Sequence, residues 1–147
     1  MDDERKQETG FLNAPDSQPM QDRLPRPQTT YLGAGWKLQV KVGEQSATMD
    51  VEETMVIGRS LEGEDDPLLA LDLGPFDAYR SGVSRRHAII TQREGGLYIE
   101  DAGSTNGTRI NGFQLSPRRR YRLRDGDEVE FARLRTVFRF VAPSANG

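Results

Sequence analysis

Four short clusters in the chain carry residue types suited to binding an anion: Gly58-Arg59-Ser60, Ser84-Arg85-Arg86-His87, Gly103-Ser104-Thr105-Asn106-Gly107-Thr108 and Asn111-Gly112. A guanidinium presents a planar fork of donors that matches phosphate or carboxylate oxygens two at a time. Serine and threonine hydroxyls add donors, and an asparagine amide, donor and acceptor at once, can grip a peptide backbone. The glycines permit tight loops with positive φ. This chemistry holds an anionic ligand rather than breaking bonds. His87 is the only histidine. As a catalytic base it would need Ser84 as nucleophile and Asp101 as orienting acid. No Gly-x-Ser-x-Gly elbow supports that reading, because Ser84 lies between Val83 and Arg85. A histidine that braces loops by hydrogen bonds is the preferred reading. One histidine and no cysteine leave only carboxylates for a metal, and Glu62, Glu64, Asp65 and Asp66 lack the spacing of a calcium loop. No catalytic residue, metal or cofactor is expected.

Charge is unevenly distributed. The 147-residue chain has a formal net charge of -3, yet residues 36–79 carry net -7 and residues 80–147 net +6. All thirteen bases of that last stretch are arginine. Arg118-Arg119-Arg120, with Arg122 and Arg124, raises an alternative function, a nucleic-acid-binding β-domain working through its basic surface. Against it stand the lack of an aromatic stacking platform or recognition helix and a sequence pI near 5.3. A turn with an exposed strand face, steering anionic ligands by its field, fits the cluster as well.

The elements that must position these clusters read as strands. Trp36, Leu38, Val40 and Val42 alternate with polar residues, the period of a half-buried strand. Further strands are expected over Thr48–Glu52, Thr54–Ile57, Ala88–Arg93, Leu97–Glu100, Thr108–Ile110, Tyr121–Leu123, Val129–Phe131 and Val137–Val141. Turns are expected at Gly43-Glu44-Gln45, Glu94-Gly95-Gly96, Asn111-Gly112 and Asp125-Gly126. No apolar stripe at helical spacing persists for three turns. Short strands separated by turn signals predict an all-β sandwich or barrel. Ser60–Gly82, with Pro67, Gly74 and Pro75, reads as a long irregular connection. Each cluster then falls at a strand end or in a loop, and loops at one end of a sandwich gather in space.

Residues 1–34 read as a disordered Pro-rich tail, holding four of the eight prolines and little that could form a core. Residues 35–143 read as the domain and 144–147 as a short C-terminal tail. The longest apolar runs fall far short of the roughly 20 residues that span a bilayer. The acidic start lacks a signal-peptide core, and without cysteine there are no disulfides; a cytoplasmic protein is expected.

Taken together and in this order, the clusters resemble the forkhead-associated (FHA) family pattern of Gly-Arg, Ser-x-x-His, Ser-Thr-Asn-Gly-Thr and Asn-Gly, over roughly Trp36 to Val141. The resemblance implies a two-sheet antiparallel β-sandwich of about eleven strands, FHA/SMAD-like. It implies a non-enzymatic module that recognises phosphothreonine on a partner protein downstream of a Ser/Thr kinase. Carried over by position, Arg59, Ser84 and Arg85 would contact the phosphate, Thr105 would complete the phosphate-side loop, and Asn106 would hold the peptide backbone. Gly58, His87 and Gly107 would support the site. Arg109 is a weaker candidate for contacting an acidic residue beyond the phosphothreonine. Thr29 and Thr30, after Arg26-Pro27-Gln28, form a candidate kinase site. Some bacterial members of the family carry such a pair, whose phosphorylated form occupies the domain's own pocket. About six residues separate Thr30 from the first strand, a reach of at most roughly 20 Å. Self-binding therefore requires that strand to begin near the pocket, and binding to a neighbouring molecule is the other possibility.

Overall fold

The computed structural model describes residues 32–61 and 64–143. Of the two tails, 1–34 and 144–147, only Leu32, Gly33 and Ala34 are described; Thr29 and Thr30 lie outside the described residues.

Among the described residues, eleven strands form two sheets. In chain order they are β1 (Lys37–Val42), β2 (Gln45–Asp50), β3 (Thr54–Gly58), β4 (Leu71–Asp72), β5 (Ala88–Arg93), β6 (Gly96–Asp101), β7 (Thr108–Ile110), β8 (Phe113–Gln114), β9 (Tyr121–Leu123), β10 (Glu128–Phe131) and β11 (Leu134–Val141). One sheet runs β2-β1-β11-β10-β7-β8 and the other β4-β3-β5-β6-β9. Neighbours pair antiparallel, except that β3 and β4 run parallel over Ile57↔Leu71 and Gly58↔Asp72. Period-two patterning drives the packing: Leu38 and Val40 of β1, Met55 and Ile57 of β3, Leu97 and Ile99 of β6, and Phe138 of β11 are all buried between the sheets.

Register fixes which loops meet. Ile57 pairs with Ala88, Ala88 with Asp101, and Phe131 with Thr108. The end of β3, the start of β5, the end of β6, the start of β7 and the β10–β11 turn therefore share one end of the sandwich. The β5–β6 turn at Glu94-Gly95 lies at the opposite end, as does the start of β1, where Lys37 pairs with Val141.

Three expectations change. The first hairpin turns on Gly43-Glu44 alone, because Val42 pairs directly with Gln45, so β2 starts and ends earlier than its alternation suggested. The Ser60–Gly82 connection holds β4, a 3-10 turn at Gly74–Phe76 and a four-residue helix α1 (Ala78–Ser81). Leu32, expected within the tail, is buried in the core, and its N–H donates to Gly95 O at 2.7 Å.

Candidate functional site

The backbone of Gly82-Val83-Ser84 is the hub of the loop cluster. Arg59, directly after β3, donates from Nε to Val83 O at 2.8 Å. Asn106 donates from Nδ2 to Gly82 O at 3.0 Å. Thr105 N donates to Ser84 Oγ at 3.1 Å. Arg59, Ser84, Thr105 and Asn106, spread over 48 positions of the sequence, are thereby joined through three consecutive residues. Arg85 lies next to Ser84 and is exposed. Arg59 is half-buried, with its Nε taken up by the Val83 carbonyl.

Two residues hold these loops from beneath. Gly58 is there because nothing larger fits: a Cβ on it would sit 2.0 Å from Arg85 O and 3.0 Å from Ser84 O. The fully buried His87 accepts at Nδ1 from Ser84 N at 3.0 Å. Its proton must then lie on Nε2, which donates to Gly107 O at 2.8 Å. One imidazole thus ties the Ser84 loop to the Thr105–Asn106 loop, packed edge-on against Phe131. Burial pushes its pKa down, outweighing the Gly107 carbonyl and the nearby Asp101 charge. His87 is neutral at neutral pH, and Ser84 meets it through its backbone N–H, while the Ser84 hydroxyl accepts from Thr105 N.

Asp101, considered in the sequence only as a partner of His87, is the keystone of the second loop. One carboxylate oxygen accepts from Ser104 Oγ and Thr108 Oγ1, both at 2.6 Å. The other accepts from Gly103 N at 3.0 Å and Ser104 N at 2.9 Å. Burial raises its pKa, but these hydrogen bonds together outweigh that and hold the carboxyl below its ordinary value. Ser104 Oγ in turn accepts from Gly107 N at 2.9 Å, closing the loop beneath Thr105 and Asn106. An Asp two residues before a Gly is a turn signal, and that was the trace available in the sequence.

The Ser60–Gly82 connection also reaches the site. Asp72 caps both its arms, accepting from Ser60 N and Gly74 N at 2.9 Å each. Asp66 pairs with Arg86, the neighbour of Arg85. Arg133 N donates to Ser81 O at 3.0 Å, tying α1 to the β10–β11 turn.

The other singled-out residues lie apart. Asn111-Gly112 forms the β7–β8 turn with φ of 49° and 87°, and Asn111 braces Asp127 and Glu128, away from the Ser84 and Thr105–Asn106 loops. Arg109 is the exposed residue of β7, in register with Glu130 and Gln114. The arginine cluster is divided among several partners: Arg120 pairs with Glu100, and Arg122 stacks on Tyr98. Arg118 leans over Gly103, where a Cβ would meet its Nη2 at 2.6 Å.

The sequence profile of the FHA domain matches residues 55–132, more than half of the chain. The chain belongs to the FHA family. It is similar to protein FraH of Nostoc, 49% identical over 51 residues that make up 35% of this chain and 18% of FraH. An oxoglutarate dehydrogenase inhibitor of Corynebacterium diphtheriae is 43% identical over 56 residues, 38% of this chain and 37% of that protein. The matched stretches thus span well under half of these relatives. Among solved structures, the MEK1 FHA domain in complex with a phosphothreonine peptide of HOP1 aligns over 69% of this chain and 94% of that one, at 25% identity and a TM-score of 0.51. The FHA fold accounts for the two sheets, and among the described residues no helix is long and apolar enough to cross a membrane.

Proposed function

We propose that this FHA domain is a phosphothreonine reader, a non-enzymatic module that docks a phosphorylated partner protein in Ser/Thr kinase signalling in the cytoplasm. The observation that carries the reading is the meeting of Arg59, Ser84, Thr105 and Asn106 around Gly82-Val83-Ser84. Arg59 and Arg85 supply charge-assisted donors to the phosphate, and the Ser84 hydroxyl and the Thr105 loop complete the anion cradle. Asn106 grips the peptide backbone. The phosphothreonine peptide bound by the MEK1 FHA domain supports this choice of ligand. The test is an array of phosphothreonine peptides beside phosphoserine and unphosphorylated copies. Retention on the phosphothreonine spots alone is expected; equal retention on unphosphorylated spots would remove the reading.

The domain's own Thr29 and Thr30 are a second source of ligand within this reading. Leu32 is seated at the Gly95 end, and β1 starts at that end too. The six-residue strand β5 separates that end from the pocket by about 20 Å. Thr30 is two residues from Leu32, a reach of about 7 Å. With Leu32 seated, a phosphorylated Thr30 reaches the pocket of a neighbouring molecule and not its own.

A further inference from the structure

Tyr79 is 75% exposed, the most exposed of the large apolar side chains among the described residues. The backbone that carries it is nevertheless tied to the sandwich. The segment around it is pinned by the buried Leu73, Ala78 and Val83. Leu73 N donates to Gly58 O at 2.7 Å, Val83 N to Ala78 O at 3.0 Å and Arg133 N to Ser81 O at 3.0 Å. Helix α1 is bounded by left-handed residues, Asp77 at φ 68° and Gly82 at φ 87°. With Ala78 turned into the core, the next side chain faces out, and the Tyr79 ring lies over the Arg59 guanidinium, 4.9 Å from Cζ to centroid.

We propose that Tyr79 is a positioning and contact residue of the phosphothreonine site. Its ring fixes the plane of the Arg59 guanidinium, and its open surface receives an apolar side chain beside the phosphothreonine. The proposal rests on the phosphothreonine reading above. Arg59 is otherwise a long side chain with several rotatable bonds, and a guanidinium that must be ordered at the moment of binding loses affinity. Here Nε is tied to Val83 O and one face is covered by an aromatic ring, so the terminal nitrogens are presented in a fixed plane before the ligand arrives. A peptide whose phosphate meets those nitrogens must pass beside Tyr79. An exposed tyrosine next to an arginine anchor is the composition of a binding hot spot. The face-on contact needs an aromatic ring and not a hydroxyl, so phenylalanine serves as well as tyrosine.

The experiment compares wild type, Tyr79→Phe and Tyr79→Leu in the full chain. It titrates each with a degenerate phosphothreonine peptide pool and with the same pool enriched in leucine beside the phosphothreonine. NMR follows the Arg59 Nε–H signal in each ligand-free protein. The proposal expects Tyr79→Phe to match wild type. Tyr79→Leu should bind about tenfold more weakly, with an unchanged unfolding midpoint, faster exchange of the Arg59 Nε proton and no gain from the leucine-enriched pool. Wild-type affinity in Tyr79→Leu, with an unchanged Arg59 signal, overturns the proposal. If wild type binds no phosphothreonine pool, the phosphothreonine reading fails and takes the contact role with it. The Arg59 signal then still decides whether Tyr79 holds the guanidinium.

Discussion

At the scale of single residues, the site depends on groups that contribute by exclusion and by acceptance as well as by contact with a ligand. Gly58 sits where a methyl group would collide with the Arg85 carbonyl. Gly58→Ala should therefore displace the Ser84–Arg85 loop, cost about 1–3 kcal/mol of stability and abolish phosphopeptide binding; urea denaturation and peptide titration read the two effects separately. Asp101 satisfies four donors. Asp101→Asn keeps the shape but turns an amide donor toward N–H or O–H groups, at a cost of roughly 2–3 kcal/mol. Unchanged stability in that variant would contradict the keystone role. His87 gives a pH signature. Its folded pKa lies below the ordinary 6.5 because of burial, so between those two values the unfolded chain binds a proton that the folded chain does not. The contribution of neutral His87 is complete above about pH 6.5 and is lost as pH falls toward the folded value. Denaturation midpoints taken from about pH 7.5 down to about pH 5 should drop in wild type and much less in His87→Gln. Stability is the readout to use, because the phosphate itself gains a proton near pH 6 and weakens affinity in the same window.

At the scale of elements, the sequence was legible where burial alternated. Strands β1, β5 and β6 were readable because Leu38 and Val40, Ala88 and Ile90, and Leu97 and Ile99 point inward at every second position. Strand β11 was half-hidden: its inward set is Leu134, Thr136, Phe138 and Phe140, and a buried threonine breaks the apolar pattern. Its hydroxyl donates to Val129 O instead of facing water. The two-residue strands β4 and β8 are too short to show any period. Helix α1 has one turn and one buried residue, so it lacked the stripe that announces a helix. The motif residues were legible as a set because a sandwich gathers its loops at the ends. Tyr79, Asp72 and Asp66 were not, since their roles come from the path of an irregular segment. Asp72 tests that path. Its carboxyl is held below its ordinary value, burial opposing and the Ser60 and Gly74 hydrogen bonds prevailing. Asp72→Ala leaves the Ser60 and Gly74 N–H groups without their acceptor and should cost about 1–2 kcal/mol. Hydrogen exchange should quicken across residues 73–82 while the β5–β6 hairpin stays protected; uniform loss of protection would show that the segment is not a separate unit.

At the scale of the whole molecule, two asymmetries matter. Arginine dominates the half of the sequence that supplies Ser84, Arg85 and Asn106, while acids dominate residues 36–79. Association with an anionic peptide should thus slow as salt rises, since about 10 Å of screening at 0.1 M covers most of the surface field. The pocket and the Leu32 anchor occupy opposite ends. Phosphorylation at Thr29 or Thr30 should accordingly produce association that grows with protein concentration in sedimentation, and is absent in the Thr29→Ala/Thr30→Ala variant. A phosphorylated chain that stays monomeric while losing affinity for external phosphopeptide would point instead to Leu32 leaving its seat. On the proposed function, the loop cluster reads phosphothreonine through Arg59. Calorimetric titration of wild type and Arg59→Ala with phosphothreonine, phosphoserine and unphosphorylated peptide pools tests it. Wild type should bind the phosphothreonine pool and not the unphosphorylated one, and Arg59→Ala should lose about 100-fold or more, the loss of a bidentate charge-assisted pair. Undiminished binding by a folded Arg59→Ala protein would contradict the account.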